Sequence, residues 1–414
     1  MRDNTVVDST DDQRWPTVKL GSLIEIHDSR RVPLSRIVRE KRQGIYRYYG
    51  AQGVIDHLDD FIFDGEFLLV AEDGENLRSR KQPVAFFVSG KFWVNNHAHI
   101  ITGRDGVADN RFLLHAINEA SISGLISGAA QPKLTQANLR EIELPAPKLG
   151  EQRRVAAILA AFDELIEINE RRVELLEDLA RSLFQEWFVR FRFPGHEDVD
   201  LVNSELGPIP KGWTPRSAAE IFAINPRIKA TQSTYRKVTM GDVSQRLSVV
   251  SPSETAAKAS GTKFLRDDVL LARITPCLEN GKTALVKFLE PGEVGIGSTE
   301  FIVLRGTTVG PSFTYCAARS DRLREHAIKS MSGASGRQRV STDAMKDLVL
   351  VEPPRSLAEQ FEAAVGPMLD EVVALHESNL ALSGTRELLV LRLVTGQLDI
   401  SDIELGVLTP PEAA

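Results

Sequence analysis

A chain of 414 residues, 42% hydrophobic and 26% charged, has the composition of a folded protein and the length of two or three domains. No apolar run approaches the roughly eighteen residues of a membrane span, so a cytoplasmic protein is expected, and two cysteines, Cys277 and Cys316, exclude a disulfide framework or multi-cysteine zinc site and suit small buried hydrophobes. The formal charge of -7 is uneven: residues 15–150 carry +1 and 211–356 carry +8, against -6 for 151–210 and -8 for 357–414, a pattern that fits globular parts facing a polyanion and helices facing protein.

Residues 1–14 read as a polar tail. Residues 15–150 read as short strands and turns, with "EFLLVAED", "PVAFFV" and "KFWVNNHAHIIT" as strands and a helix at Asn110 to Ile117. Within them, "RRVPLSRIVREKRQGIYRYYGAQG" interleaves Arg30, Arg31, Arg36, Arg39, Lys41, Arg42 and Arg47 with Tyr46, Tyr48 and Tyr49. Guanidinium groups suit phosphates and guanine acceptors, and tyrosines can stack or donate, although a basic run is more often a solvated face. Arg78, Arg80 and Lys81 follow a strand end on a loop. "VNNHAHI" is expected to place Asn95, His97 and His99 on one strand face and Asn96 on the other; no companion ligands are visible, so no metal site is assigned. Gln131 and Lys133 lie in "GAAQPKLT".

Residues 151–193 carry apolar residues at spacings of three and four, through Val155, Leu159, Phe162, Ile166, Val173, Leu176, Ala180, Leu183 and Trp187, with Asn169 interrupting the stripe. This predicts a helix from Gln152 to about Phe191, roughly 60 Å long, with a coiled-coil seam in which Asn169 either fixes register or is exposed at an irregularity. Residues 194–211 read as a linker, because the prolines and glycines of "GPIPKGW" (207–213) rule out a continuing helix or strand.

Residues 212–355 again read as strands, with "DVLLARI", "TALVKFL" and "EFIVLRG", a helix at Ser320 to Lys329 and a turn at "GIG" (295–297). Arg273 ends the first of these strands, and Arg337, Gln338 and Arg339 lie in the loop "SGASGRQRVST", where Arg and Gln are candidate base readers. A second helix, residues 356–397, is expected to open on a capping box, Ser356 to Glu359, and to end at Gly396. Its seam runs through Phe361, Val365, Met368, Val372, Leu375, Asn379, Leu382, Arg386, Leu389 and Leu393, with a kink or restart at Gly366-Pro367. Residues 398–414 read as an acidic tail.

The halves repeat. Trp15 answers Trp213, Ile26 answers Ile224, Phe67 to Val70 answers Val269 to Ala272, and "SGAAQPKLTQANLREIELPAP" answers "SGASGRQRVSTDAMKDLVLVEPP". Glu151-Gln152 then answers Glu359-Gln360. Landmarks keep their order while the residues between differ, the mark of a duplicated frame. The expected fold class is α+β, with two similar domains separated by a pair of long antiparallel coiled-coil helices. Phosphate loops, nucleophile elbows, zinc-spaced clusters and the methyltransferase tetrapeptide are missing from the sequence, so the chain is not expected to be an enzyme.

These residues resemble the specificity subunits of Type I restriction-modification systems. The likeness rests on "QPKLTQANLREIELPAPKLGEQRRVAAIL", "LIEINERRVELLEDLARSLFQEWFVRF", "SELGPIPKGW" and "RELLVLRLVTGQLDI", and on "YYGAQGVIDHLDDFIFDGEFLLVAEDG" in the first half. It implies that residues 15–150 and 212–355 are target-recognition domains, each reading half of an asymmetric split target in double-stranded DNA. It also implies two modification subunits that dock on the helices and methylate adenine N6, and restriction subunits beside them. S-adenosylmethionine, ATP and Mg would belong to those partners, and no cofactor, metal or membrane to this chain. The alternative from another class is a protein-binding scaffold with two heads on a coiled-coil rod.

Overall fold

The computed structural model describes residues 15–128, 131–334 and 336–402; the expected tail at 1–14, and that at the C-terminus from residue 403 on, lie outside them. It divides into two compact units. One joins the chain up to Leu165 to the chain from Leu382, and the other is Ile166–Ala381.

The first unit is built in chain order from β1 (Thr17–Lys19), α1 (Leu20–Leu23), β2 (Ile24–Ile26), α2 (Arg36–Glu40), β3 (Gln43–Gly50), β4 (Gly53–Leu58), β5 (Phe63–Asp64), β6 (Phe67–Ala71), α3 (Asn76–Ser79), β7 (Ala85–Val88), β8 (Lys91–Val94), β9 (Ala98–Gly103), α4 (Asn110–Glu119), α5 (Gln136–Arg140) and β10 (Glu143–Pro145). One four-stranded sheet has the order β2-β9-β6-β7, a second the order β4-β3-β8-β5, and β1 pairs antiparallel with β10. Strands β6 and β9 are apolar runs rather than alternating ones because both their faces are covered. Leu68, Val70 and Ile101 enter a core with Phe112 of α4, while Phe67, Leu69 and Ile100 enter a second core with Tyr49, Phe63 and Phe92 of the other sheet. The result is a helix layer on a sheet on a sheet.

The helix α6 (Leu149–Phe184) leads out of this unit and ends in a π-turn at Gln185–Val189. There follow β11 (Leu201–Ser204), β12 (Gly207–Pro210), β13 (Thr214–Ser217), α7 (Ala218–Ile221), β14 (Phe222–Ile224), β15 (Tyr235–Val238), β16 (Glu254–Ala256), β17 (Thr262–Phe264), β18 (Val269–Ala272), β19 (Thr283–Leu285), β20 (Gly295–Gly297), β21 (Phe301–Gly306), α8 (Pro311–Arg319), α9 (Asp321–Lys329), α10 (Thr342–Lys346), β22 (Val349–Glu352) and α11 (Arg355–Val394). The sheets have the orders β14-β21-β18-β19 and β16-β15-β20-β17, and β13 pairs antiparallel with β22. Strand for strand this is the topology of the first unit, including one parallel pair in each, β3 with β8 and β15 with β20. The layering repeats too: Val269 and Leu271 face one core, Leu270 and Val303 the other.

Each long helix contributes to both units. In the first, Val155 and Leu159 of α6 share a core with Val390 and Leu393 of α11, and Arg386 ion-pairs with Asp163 at 2.7 Å. In the second, Arg172 pairs with Glu371 at 2.8 Å, and the rings of Phe184 and Phe361 lie 6.1 Å apart. Residue numbers rise on one helix as they fall on the other, so within each unit the helices run antiparallel. Asn169, 4% exposed, donates to Asn379 Oδ1 at 2.9 Å, and Asn379 donates to the Ile166 carbonyl at 3.3 Å. Of the other seam residues, Leu159, Val173, Val372 and Leu375 are buried, and Phe162, Ile166, Leu176, Leu183, Leu382 and Leu389 half-buried.

Several sequence expectations need correction. "GPIP" is strand β12, paired with β11 in a two-stranded hairpin; both strands are edges, so prolines without an N–H cost no ladder bond on the open side. "GIG" is strand β20 rather than a turn, and its glycines are steric: a Cβ on Gly295 would lie 2.2 Å from the Phe264 ring. "KFWVNNHAHIIT" is two strands in different sheets, and Asn95 to His97 form the turn between them. The first long helix starts at Leu149 and gives way to the π-turn before Phe191. The second begins at Arg355, one residue before the expected cap, and Glu359 bonds Arg355 instead of closing a box. It runs through Gly366-Pro367 without restarting, held by the fully buried Phe361, Val365, Leu369 and Val372, and Leu369 takes the inward place expected of Met368. Cys316 is buried as expected, but Cys277 is only half-buried.

Candidate nucleic-acid interface

The basic segment of the first domain divides into core, braces and free charge. Tyr48, 1% exposed, accepts a hydrogen bond from the Leu34 N–H at its hydroxyl (3.1 Å), and Tyr49 packs edge-on to Phe92 with ring centroids 5.7 Å apart. Both are core residues rather than nucleic-acid contacts: Tyr49 faces the core between the sheets, and Tyr48, on the other face of β3, is covered by Leu34, Leu58 and Trp93. Three arginines brace the fold, and a fourth, Arg36, makes an exposed pair with Glu40 within α2. Arg30 lies 4.5 Å over the Phe63 ring, Arg39 donates to Asp56 at 2.9 Å, and Arg42 lies 5.1 Å over Trp93 and pairs with Asp59. Arg47 and Lys81 are exposed and have no side-chain partner among the described residues.

Arg80 is also structural. Its backbone is left-handed (φ 50°), its guanidinium caps the last turn of α4 by donating to the Asn118 carbonyl, and burial pulls its pKa down. Arg78 donates to the Gly128 carbonyl. Asn95 is buried and accepts from the His97 N–H at 2.8 Å to shape its turn, whereas Asn96 is exposed.

At the rim where β6 and β9 end, Arg31, Glu72, Asp28, His99 and Lys133 form one ion cluster. Arg31 donates to Glu72 at 2.6 Å, Lys133 lies 3.1 Å from Glu72, and His99 meets Asp28 at 2.6 Å and the Leu134 carbonyl at 2.8 Å. Burial opposes ionisation of Glu72, but hydrogen bonds from Arg31 and Lys133 outweigh it and hold the carboxyl below its usual range. Asp28 is held low in the same way against burial, by His99, the Ile100 N–H and Arg31. Ligand atoms of Asp28, Glu72 and His99 lie within 4.8 Å of one another. Two cations already answer the two carboxylates and both imidazole nitrogens are engaged, so the group is a closed ion cluster.

The second domain has the same rim with other side chains. Ser127 and Lys133 exchange backbone hydrogen bonds (2.9 and 2.8 Å), as do Ser332 and Arg339 (3.0 and 2.9 Å). The Leu134 N–H donates to the Glu72 carbonyl and the Val340 N–H to that of Arg273, at 2.8 and 2.9 Å. Glu72 N–H in turn bonds the His97 carbonyl, and Arg273 N–H that of Glu300, both at 2.9 Å. Arg339 grips Glu300 through Nε and Nη2 at 2.9 and 2.8 Å and thereby lowers its pKa. Gln131 and Arg337 are exposed, with no side-chain partner among the described residues, Gln338 is half-buried, and Arg273 is half-buried. Sequence reasoning missed Glu72 and Glu300; the available signal was an acid flanking each apolar run at the rim, opposite a basic loop.

Residues 12–178 match the Type I restriction modification DNA specificity domain. The Type I restriction enzyme MjaIX specificity subunit of Methanocaldococcus jannaschii is 23% identical over 355 residues, which cover 81% of this chain and 80% of that one. The putative type I restriction enzyme specificity subunit S.HindORF215P of Haemophilus influenzae is 34% identical over 146 residues, 35% of this chain and 37% of its own length. The crystal structure of the S subunit of a Type-I restriction-modification system from M. genitalium superposes with a TM-score of 0.63 at 14% identity, covering 95% of this chain and 99% of that one, a likeness of fold.

Proposed function

This chain belongs to the DNA specificity subunits of Type I restriction-modification systems, and we propose that its two β-rich domains, residues 15–150 and 212–355, each read one half of an asymmetric, split target in double-stranded DNA. It is the non-catalytic component, and the cofactors belong to the modification and restriction subunits. The observation that supports the reading is the repeated rim: the same backbone hydrogen bonds tie Glu72 to Leu134, next to Lys133, in one domain and Arg273 to Val340, next to Arg339, in the other. One frame bearing unlike side chains suits two readers of unlike half-sites.

Two modification subunits dock against α6 and α11 in this proposal. Ile168, Leu175 and Leu179 are exposed at spacings of seven and four on α6, and Leu388 and Leu391 are exposed on α11, the apolar face a partner helix requires. The modification subunits bind S-adenosylmethionine and flip an adenine for N6-methylation, and restriction subunits add ATP- and Mg-dependent translocation and cleavage. The work takes place in the cytoplasm; no helix among the described residues is long and apolar enough to cross a membrane. The test is co-expression with the cognate modification subunit in a methylation-free host, followed by mapping of N6-methyladenine. One split, non-palindromic motif that depends on this chain is the expected result. A palindromic motif refutes the asymmetry, and failure of the two proteins to associate refutes the role and favours a scaffold.

A further inference from the structure

The rim residue that differs most between the domains is the one after β6 or β18. Glu72 and Arg273 occupy the same backbone place, each accepting from the residue after the loop cation and donating across the sheet end. Their side chains stand in opposite conditions. Glu72 is satisfied by Arg31 and Lys133, whereas the Arg273 side chain has no hydrogen-bond or ion-pair partner among the described residues, and its Nε is buried without one. That Nε is too enclosed for a ligand to reach, so a bound acceptor would meet the outer guanidinium nitrogens, which have no partner among the described residues. Glu300, whose pKa Arg273 helps to lower, is already taken up by both arms of Arg339.

We infer that Arg273 reads a guanine in the half-site of the second domain, its guanidinium fork meeting the O6 and N7 acceptors of the major-groove edge. The inference rests on the recognition role proposed above. A base edge is inferred because the planar fork of an arginine matches the paired O6 and N7 acceptors of guanine, the pairing most often used for specific contact. Phosphate contact falls instead to Arg337, exposed on the adjoining loop with no side-chain partner among the described residues. Glu300 is a positioning residue, holding Arg339 and with it the loop. In the first domain the same place carries a neutralised carboxylate, so guanine is read from this position in one half of the target only.

The test uses the full chain in complex with its modification subunit and compares wild type with R273Q and R273K by mapping the methylated motif and by duplex binding at several salt concentrations. Both variants are expected to relax one guanine position in one half-site, with discrimination there falling on the order of tenfold to a hundredfold, and to leave the other half and the salt dependence unchanged. R273K keeps the charge beside Glu300 but not the fork, so it reports on readout even where R273Q loosens the rim. An unchanged motif in both variants overturns the inference, as does relaxation at a position that is not guanine. Weakening of target and scrambled duplex alike, restored by R273K, identifies a phosphate contact and overturns it too. A wild-type complex that methylates without any motif sinks the recognition role beneath it as well.

Discussion

The asparagine pair between the helices offers a prediction whose size follows from its geometry. Asn169 donates to Asn379 at 2.9 Å, and Asn379 also donates to the Ile166 carbonyl at 3.3 Å, so the two are not equivalent. Asn169→Leu removes one bond and leaves Asn379 its carbonyl, whereas Asn379→Leu strips the 4%-exposed Asn169 amide of the side-chain partner it has among the described residues. A buried polar group left without a partner costs about 1–3 kcal/mol, so the second change should fall near the upper end and the first near the lower. Replacing both removes the unsatisfied group and adds apolar contact beside Val173 and Val372, and the double variant should regain most of the loss. A double-mutant cycle by urea unfolding of the full chain should therefore give a coupling of about 2–3 kcal/mol. The double variant should also pair its helices less uniquely, which a register-sensitive cysteine cross-link between α6 and α11 would detect. Equal single costs that simply add in the double variant would refute the reasoning.

Three further outcomes are expected. Burial, helped by Arg386, lowers the His115 pKa to about 4 while Asp163 opposes; since the unfolded ring takes its proton near 6.5 and the folded ring does not, stability is lost as pH falls from about 6.5 to about 4. The span corresponds to about 3 kcal/mol, and a His115→Phe variant should show a correspondingly smaller drop in urea midpoint between pH 7 and pH 4 than wild type. Tyr315→Phe takes the hydroxyl at 2.9 Å from the buried Glu177 carboxylate and should cost about 1.5–3 kcal/mol by thermal or urea unfolding; a change within error would mean the carboxylate is satisfied without it. Gly295→Ala sets a Cβ against the Phe264 ring and should cost about 1–3 kcal/mol, and a neutral result would show that β20 can shift away.

The duplicated frame was legible in the chain because the residues that build it are local and few. Trp15 and Trp213 enter equivalent cores, the apolar runs at Phe67 and Val269 are central strands covered on both faces, and helix spacing from Val155 to Leu183 follows from the period of the helix alone. Even "GPIP" and "GIG" failed as local readings for a reason of the same kind: whether a proline or glycine sits in a strand depends on what lies across from it, an open edge for β12 and the Phe264 ring for β20. Side-chain roles at the rim depend still more on the third dimension. Arg31, Arg42, Arg273 and Arg339 look alike in the sequence, and only folding brings Glu72, Asp59 and Glu300 to three of them and leaves the Nε of the fourth buried with no acceptor among the described residues. A charge is a property of a residue, but its availability is a property of its neighbours, and those neighbours come from strands far apart in the chain.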